Sequence, residues 1–106
     1  SVVIPIFNES EGLAELEKVI LRDLVTPLES RGENIEVILV DDGSRDGSRD
    51  QLRAWQARHP RWTRVLLLSR NFGHQIAITA GTDLADGDTV TVIDADLQDP
   101  PGVILD

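Results

Sequence analysis

The sequence predicts an α/β fold of three layers, with helices on both faces of a mostly parallel sheet. Strand-like apolar runs alternate with helix-like periodic segments in the order β-α-β-α-β-α-β, and such alternation implies parallel strands joined by right-handed crossovers. The strand runs are short and nearly continuous in apolar character, as expected of strands covered on both faces. A polar cluster follows each of the four runs, and open sheets of this kind bind ligands outside the carboxyl ends of their strands.

The first run, Val2 to Phe7, is apolar and β-branched, with Pro5 either weakening it or marking its end. Asn8 and Glu11, three residues apart, have the spacing of a helix-start capping pair. Leu13, Leu16, Ile20, Leu24 and Leu28 then recur at helical spacing, and Pro27 and Gly32 end or kink that helix. Ile35 to Val40 reads as the second strand. Asp41-Asp42-Gly43-Ser44 and Asp46-Gly47-Ser48 are turn chemistry, and Asp46 or Ser48 is placed to cap a second helix that runs to about His59-Pro60. Trp55 and Trp62 are expected to pack on the sheet, with His59 structural.

Thr63 to Leu68 is the third strand and Asn71 to Gly73 a loop. Ile76, Ala77, Ala80 and Leu84 line a third helix. Asp86-Gly87-Asp88 turns the chain into a fourth strand, Thr89 to Ile93, and Asp94 opens the next loop.

Composition narrows the function. The 106 residues hold 10 basic and 19 acidic side chains, a net charge of −9, which disfavours a nonspecific nucleic-acid binder. There is no Cys, so disulfides, thiolate zinc sites and thiol catalysis are excluded. An apolar content of 41% argues against disorder, and no apolar run is long enough to span a membrane. The chain lacks Met and starts inside an apolar run, so it is expected to be a piece of a longer protein.

Charge falls in three blocks: −7 over residues 1–42, +5 over 43–82 and −7 over 83–106. The Arg-rich middle (Arg45, Arg49, Arg53, Arg58, Arg61, Arg64) reads as a solvated helix face, or alternatively as a patch for anionic lipid headgroups. In the last block, Asp83, Asp86 and Asp88 suit a solvated acidic edge.

The chemistry-bearing clusters are those at the strand ends. Asp94 and Asp96 lie at i and i+2, on one side of an extended segment. Two carboxylates so placed suit a hard cation such as Mg²⁺ or Mn²⁺, with Gln98 and Asp99 able to add or orient oxygen ligands; a turn or helix cap is the structural alternative. Asp41 and Asp42 can accept hydrogen bonds from a ribose hydroxyl or a base N–H, or simply close a turn. Arg70 carries a planar fork that suits phosphate or a base carbonyl. His74, at the start of the third helix, is able to donate to phosphate, but a lone His is more often a satisfied surface group, and it is given no firm role. No G-x-x-x-x-G-K-[ST], G-x-G-x-x-G or G-x-S-x-G motif is present. A receiver-type signalling domain would want a late Lys, and Lys18 is the only lysine.

Four segments occur in order: Val3-Ile4-Pro5-Ile6-Phe7-Asn8-Glu9, Val40-Asp41-Asp42-Gly43-Ser44-Arg45-Asp46-Gly47-Ser48, Ser69-Arg70-Asn71-Phe72-Gly73-His74 and Asp94-Ala95-Asp96-Leu97-Gln98-Asp99-Pro100-Pro101. With them the sequence resembles family 2 glycosyltransferases across essentially its whole length. Within that family it looks closest to the polyprenyl-phosphate sugar transferases, the group of dolichol-phosphate mannose synthase and bactoprenol glucosyltransferase.

The resemblance implies the Rossmann-like, nucleotide-binding half of a GT-A fold, with the acceptor half beyond residue 106. It implies an inverting transfer from a UDP- or GDP-sugar to a polyprenyl phosphate, or to a saccharide hydroxyl, at the cytoplasmic face of a membrane. By position it places Pro5, Asn8 and Glu9 beside the nucleoside, Asp41 at the base, Asp42 near the ribose and Arg70 at the base or a phosphate. It makes Asp94 and Asp96 the Asp-x-Asp metal and donor-sugar motif, with Gln98 a further ligand of Mg²⁺ or Mn²⁺.

Overall fold

A computed structural model describes residues 1–85 and 89–95. Strand β1 (Val2–Ile6) leads to α1 (Leu13–Ile20), a π-helical stretch (Leu21–Val25) and α2 (Thr26–Ser30). There follow β2 (Val37–Asp41), α3 (Ser48–Arg58), β3 (Thr63–Leu67), α4 (His74–Leu84) and β4 (Thr91–Val92). The four strands are parallel and ordered β3-β2-β1-β4. The expected turn at Asp86-Gly87-Asp88 lies outside the described residues, as do Asp96, Gln98, Asp99 and Pro100-Pro101.

Strand alternation divides the core. Val2, Ile4, Ile6, Val37 and Leu39 face one side and pack with Leu13, Leu16, Ile20 and Leu24 of the first helical segment and with Leu52 and Trp55 of α3. Val3, Ile38 and Val40 face the other side, under Ala77 of α4. The sheet therefore has helices on both faces, as its apolar continuity predicts. Each fully buried Leu, Ile or Val side chain contributes roughly 1.5–3 kcal/mol of transfer free energy. Trp55 and Trp62 are both buried, edge to face with ring centroids 6.3 Å apart. His59 stacks on Trp62 at 4.7 Å and lies 3.1 Å from Glu17 of α1, a structural role as expected.

The helix after β1 does not stop at Pro27. It runs on to Ser30 and ends at Gly32, which has φ +76°. The π-helical turn absorbs the proline: Thr26 N–H donates to the Leu21 carbonyl, five residues back, just before the residue that has no N–H to give. Pro5, in turn, sits inside β1, opposite Val40. Ser1 and Val3 carbonyls accept from Thr91 and Ile93 of the β4 side, so the odd-numbered residues of β1 face β4. The next bond of that ladder needs an N–H at position 5, and proline lacks it. The β1–β4 pairing accordingly covers only Val2↔Thr91 and Val3↔Val92.

Two expectations change. Phe7 lies beyond the end of β1 and is 44% exposed. Ile76 does not face the core but is 51% exposed, because α4 turns the small residues Ala77 and Gly81 to the sheet. The Arg-rich middle is largely solvated, with Arg45, Arg53, Arg58 and Arg61 exposed, but its charge is partly compensated. Arg58 pairs with Glu17, Arg61 with Glu29 and Arg64 with Glu36, so these guanidiniums meet carboxylates of the acidic first block. That complementarity, scattered in sequence, follows from parallel packing, which sets α3 beside α1 and β3 beside β2. Among the described residues no helix is long and apolar enough to cross a membrane.

Candidate functional site

The crossovers β1→β2 and β2→β3 run on the α1/α3 face, whereas β3→β4 runs through α4 on the other face. The strand order therefore reverses direction between β1 and β4, and a crevice opens above their carboxyl ends. A cleft of about 470 Å³ occupies that place. Its walls come from Pro5, Ile6, Phe7 and Glu9 after β1, Asp42 after β2, Asn71, Gly73 and His74 at the start of α4, and Asp94 and Ala95 after β4. Four segments far apart in sequence thus converge, as the four polar clusters predicted.

The two adjacent aspartates separate. Asp42 lines the cleft: its Oδ1 accepts the Phe72 N–H at 2.8 Å and its Oδ2 the Gly73 N–H at 3.1 Å. This carboxylate therefore fixes the entry to α4. Asp41 does not line the cleft. It is fully buried on the opposite face, where its Oδ2 accepts from Arg49 Nε at 2.8 Å and from the Ser44 N–H at 3.0 Å. Its Oδ1 finds no donor among the described residues. Period-two alternation sends consecutive residues of a strand end to opposite faces, which a reading of both as one cluster overlooks. Arg49 also donates to the Leu68 carbonyl, bracing the ends of β2 and β3 together.

Gly43 (φ +79°) turns the chain after Asp42, and its neighbour in space is the Arg70–Asn71 backbone. Arg70 is exposed and lies over the Phe72 ring, 4.8 Å from its centroid, outside the cleft walls.

Asn8 is not a helix cap, since α1 starts after Gly12 without a side-chain cap. It adopts φ 51°, and its Oδ1 accepts the Arg45 N–H at 2.9 Å. Asn8, Glu9 and Ser10 donate successive backbone N–H groups to Ser44 Oγ, Ser48 Oγ and Asp46 Oδ2. Asp46 does serve α3, accepting the Ser48 N–H at 3.0 Å and the Ser48 hydroxyl at 2.6 Å. The Ser48 hydroxyl first, with the Ser10 amide, holds this carboxyl well below the usual carboxylate range.

Asp94 sits at the end of β4 with its side chain about half exposed, its Oδ1 4.0 Å from His74 Nε2. The Asp94 carboxylate, one of three on the cleft walls, fits one ligand position of a hard, oxygen-seeking cation. Among the described residues no three His, Cys, Asp or Glu side chains form a metal-holding group, so the expected set depends on Asp96 and Gln98, outside the described residues. Asn71 belongs to the polar cluster expected after β3, whereas residue patterns gave His74 no firm role and did not mark Phe7 as a cleft wall. Phe7 was legible only as strand, and its exposure comes from β1 stopping at Ile6.

The family profile of glycosyl transferase family 2 matches residues 1–106, and the chain belongs to that family. It is 45% identical over its full length to an uncharacterized glycosyltransferase, YkcC, of Bacillus subtilis, covering 31% of that protein. It is 44% identical over 95% of its length to the undecaprenyl-phosphate 4-deoxy-4-formamido-L-arabinose transferase of Edwardsiella ictaluri, covering 30% of it. The chain thus spans about a third of the length of these relatives. Two solved structures share its fold over 90% of the chain. Staphylococcus aureus TarS has a TM-score of 0.73, 23% identity and 16% of its own chain covered. The mannosyltransferase PcManGT of Pyrobaculum calidifontis, in complex with GDP-Man and Mn²⁺, has a TM-score of 0.68, 27% identity and 26% covered.

Proposed function

We propose that this chain binds the donor in an inverting glycosyltransferase that takes a sugar from a UDP- or GDP-sugar and passes it to a polyprenyl phosphate. The observation that carries the reading is the cleft at the switch between β1 and β4, with one aromatic and several carboxylate walls. The undecaprenyl-phosphate transferase relatives support the lipid acceptor, and the GDP-Man and Mn²⁺ complex supports a nucleotide-sugar donor with a divalent metal.

In this reading the nucleoside lies along Pro5, Phe7, Glu9 and Asp42. The exposed Phe7 ring offers a stacking face, and Asp42 offers remaining lone pairs to a ribose hydroxyl or base N–H. Asp41 supports the site from behind, through Arg49. Arg70, on its long stem, reaches the base or a phosphate from the rim. Asp94, with Asp96 and Gln98, holds Mg²⁺ or Mn²⁺, which when bound supplies charge neutralisation for the leaving diphosphate. The transfer is a single displacement at the anomeric carbon. A phosphate acceptor is already ionised near neutral pH and needs little base catalysis, unlike a sugar hydroxyl. In this reading the acceptor is a membrane lipid, and the parent protein is expected to work at the cytoplasmic face of that membrane.

Calorimetric titration with UDP and with GDP, each with and without Mn²⁺, tests this. The expected result is metal-dependent binding of one nucleotide, with the metal-dependent part lost in Asp94→Asn and in Asp96→Asn. Equal affinity with and without Mn²⁺ in all three proteins would remove the metal assignment. No binding of either nucleotide by the folded wild type would overturn the donor-site reading.

A further inference from the structure

The Asp46-Gly47-Ser48 segment does more than start a helix. Ser48 is fully buried, and its hydroxyl relays two bonds: it accepts the Glu9 N–H at 3.1 Å and donates to Asp46 Oδ1 at 2.6 Å. Asp46 Oδ2 meanwhile accepts the Ser10 N–H at 3.0 Å. Ser44 Oγ and the Arg45 amide bind Asn8 through its backbone N–H and its side-chain oxygen. Each backbone N–H of residues 8–10 is therefore held by a side chain from the segment between β2 and the first turn of α3. Phe7 and Glu9, which flank Asn8 in sequence, are both cleft walls.

Such a loop, without these bonds, would have to be ordered when ligand arrives, at a cost in affinity. With them the wall is set beforehand. Asp46 accepts three donors, and accepting only suits the ionised form, consistent with its lowered pKa.

We propose that Asp46 and Ser48 are positioning residues for the nucleotide subsite, acting at a distance by holding Phe7 and Glu9 in their cleft-facing places. This rests on the donor-site reading above. Neither residue lines the cleft, so their effect on ligand must pass through the loop they clasp.

The test is a double-mutant cycle on nucleotide affinity, measured with Mn²⁺ and whichever of UDP or GDP the wild type binds. Thermal unfolding of every variant is followed in parallel. Asp46→Ala is expected to weaken binding about tenfold or more, the effect typical of removing a group that orients a binding residue. Asp46→Asn keeps one acceptor and should fall between. Ser48→Ala should match Asp46→Ala, and the pair together should lose little more, because the two act through one relay.

In a Phe7→Ala/Glu9→Ala background, Asp46→Ala should change affinity less than about twofold, since the groups it positions are gone. A general structural defect would lower affinity equally in both backgrounds, and that result overturns the proposal. Unchanged affinity in Asp46→Ala overturns it as well, while leaving the donor-site reading in place. A folded wild type that binds neither nucleotide overturns the donor-site reading and this proposal with it. Should Asp46→Ala fail to fold, the same comparison is made with Asp46→Asn.

Discussion

Gly43 and Arg70, far apart in the chain, meet backbone to backbone: a β-carbon on Gly43 would lie 2.4 Å from the Arg70 carbonyl carbon. It would lie equally close to the Asn71 nitrogen, and Gly43 has φ +79°. Neither obstacle is a side chain that can swing aside. Gly43→Ala should therefore push the 69–71 loop away from β2 and destabilise the fold by about 2–3 kcal/mol, combining a strained φ with a backbone clash. Urea unfolding measures this. A loss under about 0.5 kcal/mol would show that the loop shifts freely.

Arg49 and Asp41 form the buried half of the same corner. Arg49→Leu would leave the fully buried Asp41 carboxylate with only the Ser44 amide. Orphaning a buried charge costs roughly 3–5 kcal/mol, and here about 2–3 kcal/mol, because the Arg49 side chain is 32% exposed and water screens the pair. Arg49→Lys should not rescue it, since an ammonium cannot reproduce the fork shared between Asp41 and the Leu68 carbonyl. The double variant Asp41→Asn/Arg49→Leu should recover much of the loss. Equal stability of all of them in denaturant titration would refute the brace.

Gly81 sets two small effects against each other. Alanine in a helix interior gains about 1 kcal/mol over glycine. Here, however, its β-carbon would lie 2.5 Å from Val3 Cγ1 and 2.9 Å from Val40 Cγ2. Both valines are buried and stiff at χ1, so α4 must lift from the sheet, at about 1–3 kcal/mol. The net expectation for Gly81→Ala is a lower unfolding midpoint, with Gly81→Val worse. A raised midpoint would mean that α4 slides without cost.

The pH dependence of the loop clasp follows from Asp46. Its carboxyl is held below the ordinary value of 3.8, chiefly by the Ser48 hydroxyl. A depressed folded-state pKa contributes stability that is complete above the unfolded value and is lost as pH falls through the folded one. The stability difference between wild type and Asp46→Asn should thus be constant above about pH 5 and shrink as pH falls below 3.8. Thermal unfolding across about pH 2–7 tests this, and a difference growing toward acid would contradict the assignment.

Much of this architecture was open to a reader of the residues. The apolar runs Val2 to Phe7 and Ile35 to Val40 and the helical spacing of Leu13, Leu16, Ile20, Leu24 and Leu28 announce strand and helix because burial on one face or both demands those spacings. The observed strands Val2–Ile6 and Val37–Asp41 differ from those runs only at their ends. The order of those segments then makes the sheet parallel and puts Asn8-Glu9, Asp41-Asp42, Ser69-Arg70-Asn71 and Asp94 at its carboxyl edge. Asn8 and Glu11 misled, because a capping spacing is local and here Ser44, 36 residues away, claims the Asn8 amide instead.

Sequence by itself therefore determined the layers, the order of strands and helices along the chain and the residue types that gather at the carboxyl edge, since these depend on local period and order. Only the tertiary structure decided which of them face the ligand. Asp42 turns to the cleft and Asp41 away from it, Phe7 leaves the core, and Asp46 reaches back to Ser10. Those outcomes depend on the residue at which a strand stops and on hydrogen bonds between loops 36 or more residues apart, and a one-residue shift at a strand end reverses the face of every side chain after it.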